Sequence, residues 1–222
     1  MCTLPLRVQD GHLFIELADG RWLLDTGAPA SFSDSPDLLL AGKRFQIANN
    51  YCGLTPASLS KYVGVDCEGL LGADVLNCFD FIFDVPSATA IISTDELTHA
   101  GQSVRLDHFM GVPIMSVKIR NHVYRMFFDT GAQISYLHDR LLTDVAEIGS
   151  MTDFYPGFGQ FQTKIHNVEV SLGGLKSTLC CGVLPSLLAA TLVMADAAGI
   201  VGNQIIADRT VGYFPRRRLL AL

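Results

Sequence analysis

Residues 125–137 read RMFFDTGAQISYL, and residues 21–32 read RWLLDTGAPASF. In each, an apolar pair runs straight into Asp-Thr-Gly-Ala, and a serine (Ser31, Ser135) stands six residues past the aspartate. A charged residue closing an apolar strand is costly unless the end of that strand has a use for it. One Asp-Thr-Gly tripeptide occurs by chance in roughly a few per cent of chains this long. Two in the same setting call for a common cause.

Working outward, the two stretches carry matched neighbours. DCEGLLGADVL (66–76) parallels DAAGIVGNQII (196–206), each with Asp, two residues, Gly, two aliphatics, Gly, two residues and two aliphatics. FDVPSATAIIS (83–93) parallels GYFPRRRLLAL (212–222), two apolar runs about a proline turn. Upstream, HLFIELADGRWLLDTG parallels PIMSVKIRNHVYRMFFDTG. Landmarks in the same order make a tandem repeat. The units are residues 1–93 and 109–222, joined by the polar stretch TDELTHAGQSVRLDH (94–108), which reads as a linker. Short alternating runs such as HLFIEL and NVEVSL, punctuated by Gly, Asn and Pro, predict strands. One short helix per unit is expected, starting at Gly72-Ala73 and at Gly202-Asn203.

The repeats differ in one place. The turn glycine Gly42 lies 17 residues after Asp25, whereas its counterpart Gly174 lies 45 after Asp129. The second unit therefore holds about 28 extra residues, including DFYPGFGQFQ (153–162). A glycine-rich tip flanked by aromatics, Tyr155, Pro156, Gly157, Phe158 and Gly159, predicts a hairpin that covers a site. The first unit has no such flap.

Composition narrows the function classes. With 49% hydrophobic and 17% charged residues the chain can fill a core, and disorder is excluded. A net charge of −6 gives no basic footprint for nucleic acid or anionic membrane. Arg216, Arg217 and Arg218 read as a solvated strand edge. The uncharged run 177–195 is broken by Gly182 and Pro185, and by the repeat alignment is a core strand followed by a helix or loop. The cysteines show neither C-x-x-C nor framework spacing, and no Cys/His grouping supports a metal. Reduced thiols, with an N-terminal MCTLPLRVQDG that lacks the apolar stretch of a signal peptide, predict a cytoplasmic protein.

The duplication answers why the strand ends in aspartate. Glycine allows a tight turn whose N–H groups can bind a carboxylate, and threonine can lock one turn against its mate. Two copies about a pseudo-twofold axis bring the aspartates together across that axis. Carboxylates so close share a proton, so one can act as base on a water while the other protonates the carbonyl it attacks.

These residues resemble the aspartic proteases, a family that also serves as the standard illustration of a coupled carboxylate pair. LLDTGA with GLLGADVL, and FFDTGA with GIVGNQII, extend the resemblance over essentially the whole chain. Alanine after Asp-Thr-Gly and the small units look like retropepsins, which are homodimers of one such unit; this chain looks like a single-chain fusion. The resemblance implies an all-β fold of two pseudo-twofold-related β-barrel lobes with the cleft between them. It implies Asp25 and Asp129 as catalytic residues, and Thr26, Gly27, Ala28, Thr130, Gly131 and Ala132 as their supporting loops. Leu70, Leu71 and Gly72, with Ile200, Val201 and Gly202, would brace those loops. It implies no cofactor, an extended peptide or protein substrate, binding of pepstatin-type inhibitors and a monomer. Ala28 and Ala132 stand where pepsins carry a hydroxyl, which in the family goes with less acidic working conditions. The chain departs from retropepsins at Ala73 and Asn203, where an arginine is common, and at Pro29 and Gln133, where an aspartate often follows. An aspartic endopeptidase is the leading expectation. A non-catalytic peptide-binding module on the same fold, and a self-processing or highly selective protease, are the alternatives.

Overall fold

The computed structural model describes residues 1–222, apart from the side chains of Leu187 and Leu188. The alternating runs form antiparallel ladders: Cys2–Gln9, His12–Leu17 and Gly20–Leu24 in the first half, Ser103–Phe109, Val112–Ile119 and His122–Phe128 in the second. Their first turns are built alike. Asp10-Gly11 (φ 47° and 77°) and Met110-Gly111 (φ 52° and 84°) put both central residues in the left-handed region, the geometry that matches strand twist in a two-residue hairpin.

Each Asp-bearing strand then gains a parallel neighbour. Gly20–Leu24 runs beside Gly69–Leu71 with Leu24 opposite Leu71, and His122–Phe128 beside Gly199–Val201 with Phe128 opposite Val201. Apart from the hairpin Asp37–Leu40/Lys43–Gln46, the strands belong to one large mixed sheet, so the protein is mostly β. The halves are joined within it. Its antiparallel order there is Ser103–Phe109, Leu219–Ala221, Thr210–Phe214, Asp80–Asp84, Thr89–Ser93, Cys2–Gln9, and the central pairing sets Tyr213 opposite Phe81. Beneath it Phe81 stacks on Phe83 at 5.2 Å, and Tyr213 meets Phe128 edge-on at 6.1 Å. Aromatic rings from both repeats thus fill one continuous core under the site.

Three expectations are corrected. Each half carries more than one helical segment, the second half adding 3-10 turns at Asp139–Leu141 and Pro215–Arg217. In the first, α1 (Pro56–Val63) precedes α2 (Ala73–Leu76); in the second, α3 (Ser186–Met194) precedes a 3-10 turn at Asn203–Ile205. The signals for α1 were in the sequence: Thr55 and Ser58 form a reciprocal capping box, Pro56 opens the first turn, and Gly64 closes it at φ 71°. Asp74 in α2 accepts from Val75 N–H and from Ser31, whereas Gln204 in the 3-10 turn accepts from Cys180 N–H at 2.9 Å.

Second, the stretch 94–108 is not all linker. Ser103–Phe109 is a strand in which Val104 and Leu106 point into the core. Third, of the three arginines only Arg218 is both exposed and outside every ion pair among the described residues. Arg216 and Arg217 both pair with Asp80, which is fully buried, and together they hold the carbonyls of Thr94, Asp95 and Leu97. The joining segment is clamped there. The run 177–195 divides between the strand Leu175–Gly182 and α3, and no helix among the described residues is long and apolar enough to cross a membrane.

Candidate active site

The parallel pairings deliver the two aspartates. Asp25 N–H donates to Leu71 C=O at 3.0 Å and Asp129 N–H to Val201 C=O at 2.9 Å, so each strand is held in its sheet up to the residue that leaves it. The chain then turns, and the turns lock each other. Thr26 Oγ1 accepts from Thr130 N–H and Thr130 Oγ1 from Thr26 N–H, both at 3.0 Å. Each hydroxyl donates onward across the junction at 2.7 Å, Thr26 to Phe128 C=O and Thr130 to Leu24 C=O. All of these groups are buried, so no water competes for them. Thr26→Val keeps the shape but strands Thr130 N–H and Phe128 C=O, and is expected to cost about 2 kcal/mol in urea unfolding. Thr26→Ser, which keeps the hydroxyl, is expected to recover most of that loss.

Glycine is required beside both carboxyls. A Cβ on Gly27 would lie 2.2 Å from Asp129 Cγ, and one on Gly131 would lie 2.5 Å from Asp25 Cγ. The turns also supply donors: Ala28 N–H reaches Asp25 Oδ1 at 2.8 Å, while Gly131 and Ala132 N–H reach Asp129 Oδ1 at 2.9 and 3.2 Å. The bracing residues act as a matched set. Gly72 N–H donates to Ser31 Oγ and Gly202 N–H to Ser135 Oγ, while Ala73 and Asn203 N–H close onto Ala28 and Ala132 C=O. Leu70 and Ile200 turn their side chains to the cleft. The paired serines, visible in the sequence only as part of the repeat, thus tie the second glycine phrase to the first.

Each carboxyl lies against the glycine of the opposite turn, Asp129 beside Gly27 and Asp25 beside Gly131, so the two face one another across the junction. Burial, followed by the charge of Asp129, holds the Asp25 carboxyl well above the usual range. Burial also raises Asp129, opposed by its hydrogen bonds from Asp25, Gly131 and Ala132. One proton shared by the pair is the state this environment favours.

Above the pair lies a cavity of about 280 Å³. The long hairpin, Glu147–Tyr155 and Gly159–Leu172, crosses it. Of the expected flap residues, Tyr155 and Pro156 line the cavity, Gly157 sits against Cys52 of the first half, and Phe158 is exposed and packs edge-on to Phe161. Gly159 begins the return strand at φ 90°. The tip docks on the other half through Phe154, which stacks on Tyr62 of α1 at 4.8 Å. Burial and both aspartates push the Tyr155 hydroxyl up, and burial takes Tyr51 to about 12, so both phenols remain donors at the cleft.

Several site residues lay outside the expectation. Tyr136 occupies the repeat position of Phe32, and its added hydroxyl donates to Asp153 on the flap strand. That substitution was a readable signal. His12 Nδ1 hydrogen-bonds to Gly131 C=O at 3.2 Å, and burial lowers its pKa. Asn203 donates to Gly11 C=O at 2.7 Å and to Thr130 C=O, tying the halves together. No cluster of metal-ligating residues occurs among the described residues.

No family model matches the chain, and no curated protein does. Among solved structures it is similar to a foamy viral protease-reverse transcriptase determined in complex with an RNA/DNA hybrid. The identity is 16%, over 41% of this chain and 11% of that one, with a TM-score of 0.32. The matched part spans about a tenth of the length of that solved chain. The similarity is distant.

Proposed function

We propose that the protein is a single-chain aspartic endopeptidase of retropepsin-like architecture, with residues 1–93 and 109–222 as pseudo-twofold-related lobes. The observation that carries this reading is the reciprocal junction of two Asp-Thr-Gly-Ala loops, with both carboxyls brought together on the lining of a covered, largely apolar cavity. Both halves come from one chain, so a monomer is the working unit.

In this reading an extended peptide lies between the lobes under the hairpin. A water bound between the carboxyls gives a proton to the ionised member as its oxygen attacks the scissile carbonyl carbon. The protonated member passes its proton to the carbonyl oxygen, forming a neutral gem-diol. Collapse returns the carbonyl, a proton goes to the departing nitrogen, and the C–N bond breaks. The Gly131 and Ala132 amides, directed at Asp129, hold the ionised carboxylate without ordering at the moment of reaction. Burial of the pair supplies the raised affinity for the shared proton, so that one acid and one base coexist.

Cleavage of a mixed peptide library at several pH values, with and without pepstatin, tests this. Pepstatin-sensitive cleavage is the expected result. Absence of both cleavage and pepstatin binding would refute it. The hairpin has its own test: Tyr62→Ala removes the ring on which Phe154 rests. Backbone hydrogen exchange across 153–161 is expected to quicken roughly fivefold, with KM rising more than kcat falls, because a stacked pair contributes about 1 kcal/mol.

A further inference from the structure

The cavity is not symmetric in charge. The first half contributes Leu23, Leu54, Leu59 and Leu70, whereas the second contributes, besides its own apolar groups, the carboxylate of Asp153. With Asp25 and Asp129 this makes three carboxyls on the lining, and no lysine, arginine or histidine is among the lining residues. Asp153 takes part in none of the ion pairs among the described residues. Its oxygens each accept one hydrogen bond from the protein, Oδ2 from the Tyr136 hydroxyl and Oδ1 from Phe154 N–H at 2.7 Å. A carboxylate has about four lone-pair positions, so both oxygens retain acceptor capacity toward the cleft. Tyr136 is held protonated, first by burial and then by Asp153 itself, and therefore serves as a fixed donor that orients the carboxylate.

We propose that Asp153 selects substrates that place a lysine or arginine side chain against the second-half wall, with an apolar residue facing the leucines of the first half. The assignment rests on the peptidase reading and adds its substrate class. An ammonium or guanidinium reaching Asp153 meets an oriented, uncompensated carboxylate in an apolar surround, where a charge-assisted hydrogen bond is stronger than in water. An acidic side chain at the same place would face three carboxyls and be rejected. The flap strand carries Asp153, so a basic side chain would also tie the cover down over the bound chain.

The experiment uses uncleavable peptides with a central hydroxyethylene isostere, carrying lysine or norleucine at each flanking position in turn. Affinities are measured by calorimetry for wild type, Asp153→Asn and Tyr136→Phe. Norleucine has nearly the lysine stem without its charge, so the affinity ratio isolates the ammonium. At one position the lysine peptide is expected to bind wild type on the order of tenfold more tightly, with the advantage shrinking in high salt. Asp153→Asn is expected to bring the ratio to about one, and Tyr136→Phe to leave most of it, since the carboxylate remains. A purely structural latch between Tyr136 and Asp153 would not move the ratio. Equal binding of the two peptides to wild type, or a lysine preference that survives Asp153→Asn, overturns the assignment while leaving the peptidase reading intact. Binding of neither peptide overturns both.

Discussion

Asp129→Asn is expected to lower peptide hydrolysis by about a thousandfold or more, while leaving the protein more stable than wild type near neutral pH. The activity loss follows from the roles assigned to the pair: an amide can neither accept the proton of the attacking water nor return it to the leaving nitrogen. Asp25→Asn should be equally damaging, and the double variant no worse than either, because the carboxyls act as a unit. The stability gain follows from the direction of the pKa shifts. Both carboxyls are raised above the ordinary value of 3.8 by burial, and Asp25 also by the charge of Asp129. Between 3.8 and the raised values the folded protein therefore holds more protons than the unfolded chain, and its stability falls as pH rises through that window. Replacing one carboxyl by an amide removes much of this slope. Thermal unfolding of wild type and variant should nearly coincide below pH 3.8 and separate as pH rises, with the variant melting higher. A variant that melts lower at pH 7 would mean that the carboxyls are held apart and solvated.

The largest loss of stability is expected away from the site, at Asp80. Its side chain is 0% exposed and receives Arg216 and Arg217, while Leu97 N–H donates to Oδ2 at 3.0 Å. Asp80→Ala leaves two guanidinium groups facing an empty site and frees the 94–102 segment from its clamp. Breaking a buried ion pair by removing one partner costs about 3–5 kcal/mol. The arginines keep 33% and 28% of their side-chain surface exposed and can partly hydrate, which places the loss near about 3 kcal/mol. For a chain of this size that corresponds to a drop of roughly 10 °C in Tm. Removing both arginines along with Asp80 should restore part of the loss, since no unpaired charge then remains. A loss under about 1 kcal/mol for Asp80→Ala would class the cluster with ordinary surface pairs.

Much of the site was legible because it is written in backbone-directed residues repeated at one spacing. Asp25/Asp129, Thr26/Thr130, Ser31/Ser135 and Gly72/Gly202 are matched in sequence, and the bonds that join the two threonines and tie each second glycine to its serine recur in both halves. The hairpin was legible as a length difference between repeats. What escaped notice depends on partners distant in sequence. Arg216 and Arg217 look solvated until the central sheet pairing brings Asp80 beside them. The strand Ser103–Phe109 has only alternate buried residues and gains its order from Leu219–Ala221, far along the chain. Helix α1 is a different case, since Thr55-Pro56 and Gly64 marked its ends; the expectation of one helix per repeat passed over a local signal. Asp153 could not be placed from its own neighbours, but Tyr136 in the position of Phe32 pointed to a partner for its hydroxyl.

Asp25 and Asp129 are proposed to act as one proton-sharing unit. The most direct measurement is a titration of the aspartate side-chain carboxyls by carbon-13 NMR, with the two signals assigned through the single Asn variants. Two well-separated transitions common to both signals are expected, the later one well above 3.8, because the second proton leaves a buried carboxyl beside an existing negative charge. Two independent transitions near 3.8 would contradict it.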